Sequence, residues 1–359
     1  MLDVKGLAWL IDAVGDAAVL TIYLSAEDRD PAQRQAWRLR LAASIEAART
    51  DVPEHELEGF DAAHRLVETE LRKVPGFLPG PGWCAFATAG RVLFSGSLPA
   101  PVPDTVRWRY GPLLGPALPA LTRQWPAVLA LVDSRRARIF RYAGGELEEV
   151  VDLRADTYID DLGDRNTSKR AAVRSGVRGE TATDAADRIL RQQTMQMLGD
   201  VAPLVRGLAG PAGAILLGGP EEARAALRHL LADLPGENID GDVALPVLAS
   251  APEVRAAIEL HASRLAETRL QRLVARVVDD ARAGGRGAVG LHAARRAVEN
   301  GQVAQLFVTP VFAERHEADV EPLLARCLTL GGDLEAVTGA AAALLDGEGI
   351  AARLRFIPT

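Results

Sequence analysis

Cysteine is scarce: Cys84 and Cys327 are the only two in 359 residues, far apart and each in an apolar setting. No metal-ligand spacing surrounds either one, and the pair fits a reducing cytosol. Long apolar runs are missing as well. The opening "MLDVKGLAWLIDAVGDAAVL" is interrupted by Asp3, Asp12 and Asp16, so it offers neither a cleavable leader nor a span of about 20 apolar residues. The expected state is soluble and cytoplasmic, with no membrane partner. Excess positive charge is absent too: the net charge of −7 argues against wholesale coating of nucleic acid. A local basic patch stays open, because the field that a phosphate feels at cellular salt is local. No Gly-Lys-Ser/Thr ending and no G-x-S-x-G occurs, and none of His55, His64, His229, His261, His292 and His316 has a partner at a recognised metal spacing. Neither a metal nor a cofactor is implied. Repeats and low-complexity tracts are also missing.

Three blocks are present. In the first, residues 1–125, "AVLTIYL" (18–24) predicts a strand and "DPAQRQAWRLRLAASIEAAR" a helix, with Asp30 as cap and Pro31 in its first turn. A second helix is predicted over 54–74, with Leu57, Phe60, His64, Val67 and Leu71 on one face. "GWCAFATAGRVLFSG" reads as two strands around an Ala-Gly turn. Residues 99–126 carry seven prolines, from Pro99 to Pro126, which predicts a connecting segment. The second block, 126–265, opens with a meander: two strands around Asp133-Ser134, then a third after Gly144-Gly145. A polar stretch, 155–182, precedes a helix over 184–202 opened by Thr183 and ended or kinked at Pro203. Then come a strand, a glycine turn and a helix in "AGAILLGGPEEARAALRHLL", a short strand at "VALPVLA" (243–249) and a helix over 253–280. The third block, 266–359, follows a break at "RAGGRGAVG" and alternates helix and strand, which implies a layered α/β domain.

Three places could carry chemistry. "LLGGPEEARAAL" (216–227) puts two glycines before a helix, as a phosphate site would, but Glu221 and Glu222 already satisfy the helix dipole and would repel phosphate. A plain strand-to-helix turn is preferred. "DSRRARIFRY" (133–142) places Arg136 and Arg138 on one face of a strand, either as solvated cations or as a patch facing RNA. The 155–182 stretch is the third. Arg165, Lys169, Arg170, Arg174 and Arg178 lie in it with no acid between Arg165 and Arg178, and Gly176 and Gly179 allow close backbone approach. A loop of this length without structure of its own is functional or merely mobile.

The order of a strand hairpin, a long basic loop with glycine, a long helix, "AGAILLGGPEEARAAL" and "PVLASAPEVRAAIEL" resembles the central domain of the archaeo-eukaryotic class-1 peptide release factor and Pelota superfamily. "AVLTIYL", the arginine-rich helix and "LPGPGWCAFATAG" are similar to its first, decoding-site domain. "ENGQVAQLFVT" through "GGDLEAVTGAAAALLDGEGIAARLRF" resembles its third, L7Ae-like domain. The resemblance implies a three-domain, release-factor-like α/β architecture of mixed sheets layered with helices. It implies a ribosomal partner, with rRNA at the A site, and elongation factor Tu or another translational GTPase beside it. Arg178, Gly179 and Glu180 stand where the family has Gly-Gly-Gln, and Asn-Ile-Lys-Ser is missing from the first domain. A carboxylate at Glu180 would be repelled beside rRNA phosphates, so the resemblance favours a loop that blocks rather than cleaves. The chain looks most like the bacterial branch without Gly-Gly-Gln, which includes the ribosome hibernation factor Balon. The alternative is a release or rescue factor that hydrolyses peptidyl-tRNA with a non-standard loop.

Overall fold

The computed structural model describes residues 2–26, 34–122, 126–143, 145–155, 182–210, 213–233 and 239–357. They form a mixed α/β structure with three sheets, as expected. The chain divides into two compact units, residues 1–124 with 266–359, and residues 125–265. No helix among the described residues is long and apolar enough to cross a membrane.

The first segment of the first unit begins with α1 (Val4–Val14), which was not anticipated. Asp3 caps it by accepting from the Gly6 amide at 2.7 Å, and Leu7, Leu10 and Val14 form its buried face. Next come β1 (Ala18–Ser25), α2 (Ala36–Thr50), α3 (Leu57–Leu71), β2 (Gly82–Ala87), β3 (Val92–Leu98), β4 (Thr105–Tyr110) and α4 (Leu118–Thr122). The antiparallel sheet has the order β3-β2-β1-β4. Leu20, Ile22 and Leu24 of β1 face α2 and α3, while Val19 and Tyr23 face the other side. Burial on both faces explains why the strand reads as one apolar run rather than an alternation.

Several expectations shift here. Asp30 and Pro31 lie outside the described residues, and α2 as described starts after Gln35, which makes no side-chain capping bond. Ala63, not His64, occupies the buried stripe of α3. Residues 99–126 are more than a connection, because the proline-free "TVRWRY" forms β4. Its place at the sheet edge tolerates prolines on either side.

The second unit contains β5 (Ala127–Val132), β6 (Arg136–Ala143), β7 (Glu146–Arg154), α5 (Ala182–Ala209), β8 (Ala214–Gly218), α6 (Glu221–Ala232) and β9 (Ile239–Val243), with the first part of α7 (Ala251–Arg282). Its sheet order is β7-β6-β5-β8-β9. The meander is antiparallel; β8 and β9 join parallel to β5 through the helical crossovers α5 and α6. Val128, Ala130 and Val132 pack under α5 and α6, and Leu129 and Leu131 pack against α7. Pro203 does not end α5, which continues to Ala209. Buried Leu198, Val201, Ala202 and Val205 anchor it, enough to offset the roughly 3 kcal/mol that an interior proline costs.

The last segment adds β10 (Gly287–Val289), α8 (Leu291–Glu299), β11 (Val303–Val308), α9 (Pro310–Arg315), α10 (Glu317–Thr329), β12 (Asp333–Ala336), α11 (Gly339–Ala343) and β13 (Ile350–Leu354). The order is β10-β13-β11-β12, with only β11 and β12 parallel. Leu306, Val308, Ile350 and Ala352 join one core with Leu7, Leu10, Tyr23 and Phe86 of the first segment. Leu306→Ala should therefore lower first-unit stability by about 2–5 kcal/mol. Fluorescence of buried Trp83, in the other segment, should report the lowered denaturation midpoint. An unshifted Trp83 transition would show that the two segments unfold separately.

Candidate functional site

The basic stretch is rooted between the last strand of the meander and the first crossover helix: β7 ends at Arg154 and α5 begins at Ala182. Arg165, Lys169, Arg170, Arg174, Gly176, Arg178, Gly179 and Glu180 all lie outside the described residues. The described root is ordered by backbone and side-chain bonds. Buried Ala155 donates its amide to the Arg135 carbonyl at 2.8 Å. The Thr194 hydroxyl of α5 donates to the Ser134 carbonyl at 2.7 Å. Asp133 folds the intervening turn by accepting from the amides of Arg135 and Arg136, each at 2.7 Å.

Arg136 and Arg138 do share a face of β6, but the structure makes them neither solvated cations nor an RNA patch. Arg136 forms a two-pronged pair with Asp152 of β7, both bonds 2.7 Å. Arg138 is 9% exposed and grips Glu149 at 2.7 and 2.9 Å. Its remaining Nη1 donates to the Val247 and Ala249 carbonyls at 3.0 and 2.8 Å, and its guanidinium lies 4.8 Å from the Phe140 ring centroid. Bidentate geometry is what a planar guanidinium supplies and an ammonium cannot. These bonds also explain why "VALPVLA" is not a strand. Pro246 has no amide to offer a ladder, and the carbonyls on either side of Leu248 are satisfied by Arg138 instead. The strand here, β9, ends at Val243.

Hydrogen bonding to these arginines holds the carboxyls of Glu149 and Asp152 below their ordinary range, against a smaller opposing effect of burial. Among the described residues around the root, Arg135, Arg154, Arg188 and Arg191 are exposed cations. Sequence reading missed Arg154 and Arg191, because each sits inside a regular element rather than in the loop. Spacing from the loop ends was the available signal.

The glycine turn of "LLGGPEEARAAL" has a packing reason. Gly219 has φ +106°, and a Cβ there would lie 1.9 Å from the Val132 carbonyl oxygen. Only glycine permits this approach of β8 to β5. At the start of α6, Glu221 pairs with Arg224, which also bonds Asp242 at 3.0 Å, so the helix end already has its negative charge. Both cysteines are buried thiols, each pushed up to about 12 by burial. Among the described residues no cluster of three or more His, Cys, Asp or Glu side chains could hold a metal ion.

Arg138→Ala should destabilise the full chain by about 2 kcal/mol or more, since it strips Glu149 and two carbonyls of a charged donor. Arg138→Lys should recover only part. The sign with pH is fixed by the lowered Glu149: its contribution is present above the ordinary carboxylate value and lost as pH falls through the depressed one. The difference between the two proteins in urea denaturation should therefore shrink on acidification. A constant difference would deny the pair its role.

Residues 112–264 match the family described as bacterial archaeo-eukaryotic release factor family 10. No curated protein matches the chain. Solved structures that align with it include Pelota of Archaeoglobus fulgidus, at 17% identity over 66% of this chain and 67% of that one, with a TM-score of 0.36. A ribosome-bound archaeal Pelota described with ABCE1 aligns at 14% identity over 99% and 95%, with a TM-score of 0.45. Dom34 of S. cerevisiae, described as a translation termination-like factor that interacts with Hbs1, aligns at 10% identity over 65% and 63%, with a TM-score of 0.43.

Proposed function

Because residues 112–264 belong to the release factor and Pelota superfamily, through its bacterial family 10, we propose that the protein is a ribosome-binding factor of the A site that protects idle ribosomes. That this middle block is a release-factor- and Pelota-like translation factor homologue is the observation that carries the reading. The first and last blocks, 1–125 and 266–359, take the places of the decoding-site and L7Ae-like domains in this proposal. Arg165, Lys169, Arg170, Arg174 and Arg178 contact rRNA phosphates, and Gly176 and Gly179 let the backbone approach. Exposed Arg135, Arg154 and Arg191 at the described root extend the same positive charge. Glu180, where the family has glutamine, favours occlusion over hydrolysis of peptidyl-tRNA. A translational GTPase, elongation factor Tu or a relative, is the proposed partner on the ribosome.

Cosedimentation with ribosomes across a salt series tests the binding. Log affinity should fall linearly with log salt, and Arg174→Ala with Arg178→Ala should flatten the slope by about 0.7 to 0.9 for each lost phosphate contact. The double variant should keep its denaturation midpoint. An unchanged slope in the folded variant would remove the loop from the interface.

A release assay on ribosomes carrying peptidyl-tRNA tests the second half. No release above background is expected. Robust hydrolysis that is lost in Glu180→Ala would instead establish a release or rescue enzyme.

A further inference from the structure

The sheet of the last segment ends in a short free edge. β10 and β11 each run antiparallel to β13, so they are parallel to one another, and α8, which joins them, runs back along the sheet. β10 has three residues, and no described strand lies on its outer side. Its ladder decides which groups face outward. The Arg286 carbonyl accepts from the Leu354 amide and the Gly290 amide donates to the Ile350 carbonyl, both at 2.9 Å. Alternation therefore turns Ala288 toward β13 and leaves the amides and carbonyls of Gly287 and Val289 on the free side. No further hydrogen bond reaches either residue among the described residues.

A 600 Å³ cavity wraps this edge, within the range of volumes that take small ligands. α7 covers one face of the sheet, where Val277 and Val278 share a core with Ala351; α8 covers the other, where Ala297 and Val298 share one with Ala352. Both helices line the cavity, as do all three residues of β10. Its polar groups are sorted by charge. At the Gly287 end stand Arg282, where α7 stops, and Arg296, Asn300 and Gln302, where α8 has run back toward β11. A Cβ on Gly287 would lie 2.5 Å from the Ala281 nitrogen, which fixes the end of α7 beside it. At the Val289 end stand Asp346 and Glu348, just ahead of β13. A Cβ on Gly290 would lie 2.5 Å from Glu348 Oε2, which fixes that carboxylate beside the end of β10. Unlike Arg136 and Arg224, the two cavity arginines lack a close carboxylate. Arg282 has Asp279 at 4.0 Å, and Arg296 has no ion pair among the described residues.

Free main-chain donors and acceptors, set between a cationic and an anionic end, match one kind of molecule. We propose that the cavity binds a short free peptide, added as a strand antiparallel to β10. Its terminal carboxylate meets Arg282 and Arg296, and its terminal ammonium meets Asp346 and Glu348. Between them, Gly287 and Val289 exchange main-chain bonds with the peptide. These two residues are about 7 Å apart along the strand, so a single amino acid is too short to join the charged ends and about three or four residues fit. Recognition rests on the backbone and the two termini, so many side chains are tolerated.

Isothermal titration of the full chain with the tetrapeptide Ala-Val-Val-Ala tests this, beside the same peptide acetylated at its N-terminus or amidated at its C-terminus. The free-ended peptide should bind saturably, and each cap should weaken it about tenfold or more, as the loss of a charge-assisted contact requires. Arg296→Ala should weaken the free peptide by a similar factor and leave the amidated one unchanged. Glu348→Gln should weaken the free peptide and spare the acetylated one. Both positions are exposed, so the variants should keep the parent's denaturation midpoint. Absence of saturable binding at millimolar peptide would overturn the site and leave β10 as an edge kept short against association. Equal binding of all three peptides by the unmodified chain would overturn it as well, whatever the variants do.

Discussion

The first unit depends on one apolar core that neither end of the chain can complete. Leu7, Leu10 and Val14 of α1 and Tyr23 and Phe86 of the first sheet meet Val298, Leu306, Val320 and Ile350 of the last segment in a single cluster. Burying that surface is the dominant favourable term available, and it fixes where polar groups must be satisfied. Tyr23 is fully buried in it and gives its hydroxyl to Leu113. Glu321, in the same region, takes two amides that a 3₁₀ turn would otherwise leave without partners.

Arginine illustrates the opposite lesson, that a residue type does not declare its task. The second unit is rich in arginine, which a reader looking for RNA would count as signal. Arg136 and Arg138 are consumed by Asp152, Glu149 and two carbonyls; Arg224 and Arg228 share Asp242. Paired cations lend little field to a distant phosphate, so the loop and the exposed root residues remain as carriers of positive charge.

Most of the second unit was legible because its signals are local. Asp133-Ser134 and Gly145 mark turns, and "AILLGGPEEARAAL" moves from strand to helix across a glycine whose φ is positive. What failed was set at long range. β4 is hidden by flanking prolines and exists because β1 offers an open edge. "VALPVLA" has strand composition, yet its carbonyls are claimed by an arginine more than 100 residues earlier, at 138. α1 was overlooked although Asp3 and the spacing of Leu7, Leu10 and Val14 announce it. For the site itself, the family emerged from element order, and the match over 112–264 agrees with it. The loop cations are legible only as charge, since pairing is a property of three dimensions.

The discontinuity of the first unit has a consequence for synthesis. A ribosome making this chain exposes α1, β1 and their apolar faces first, while the strands that finish their core are still unmade. Residues 125–265 form a contiguous unit and can close on their own as they emerge. The earliest segment must meanwhile stay unaggregated until β11 and β13 arrive, about 15 seconds to a minute later at ordinary elongation rates. The outer edge of β4, with its arginines and flanking prolines, makes a poor template for association during that wait.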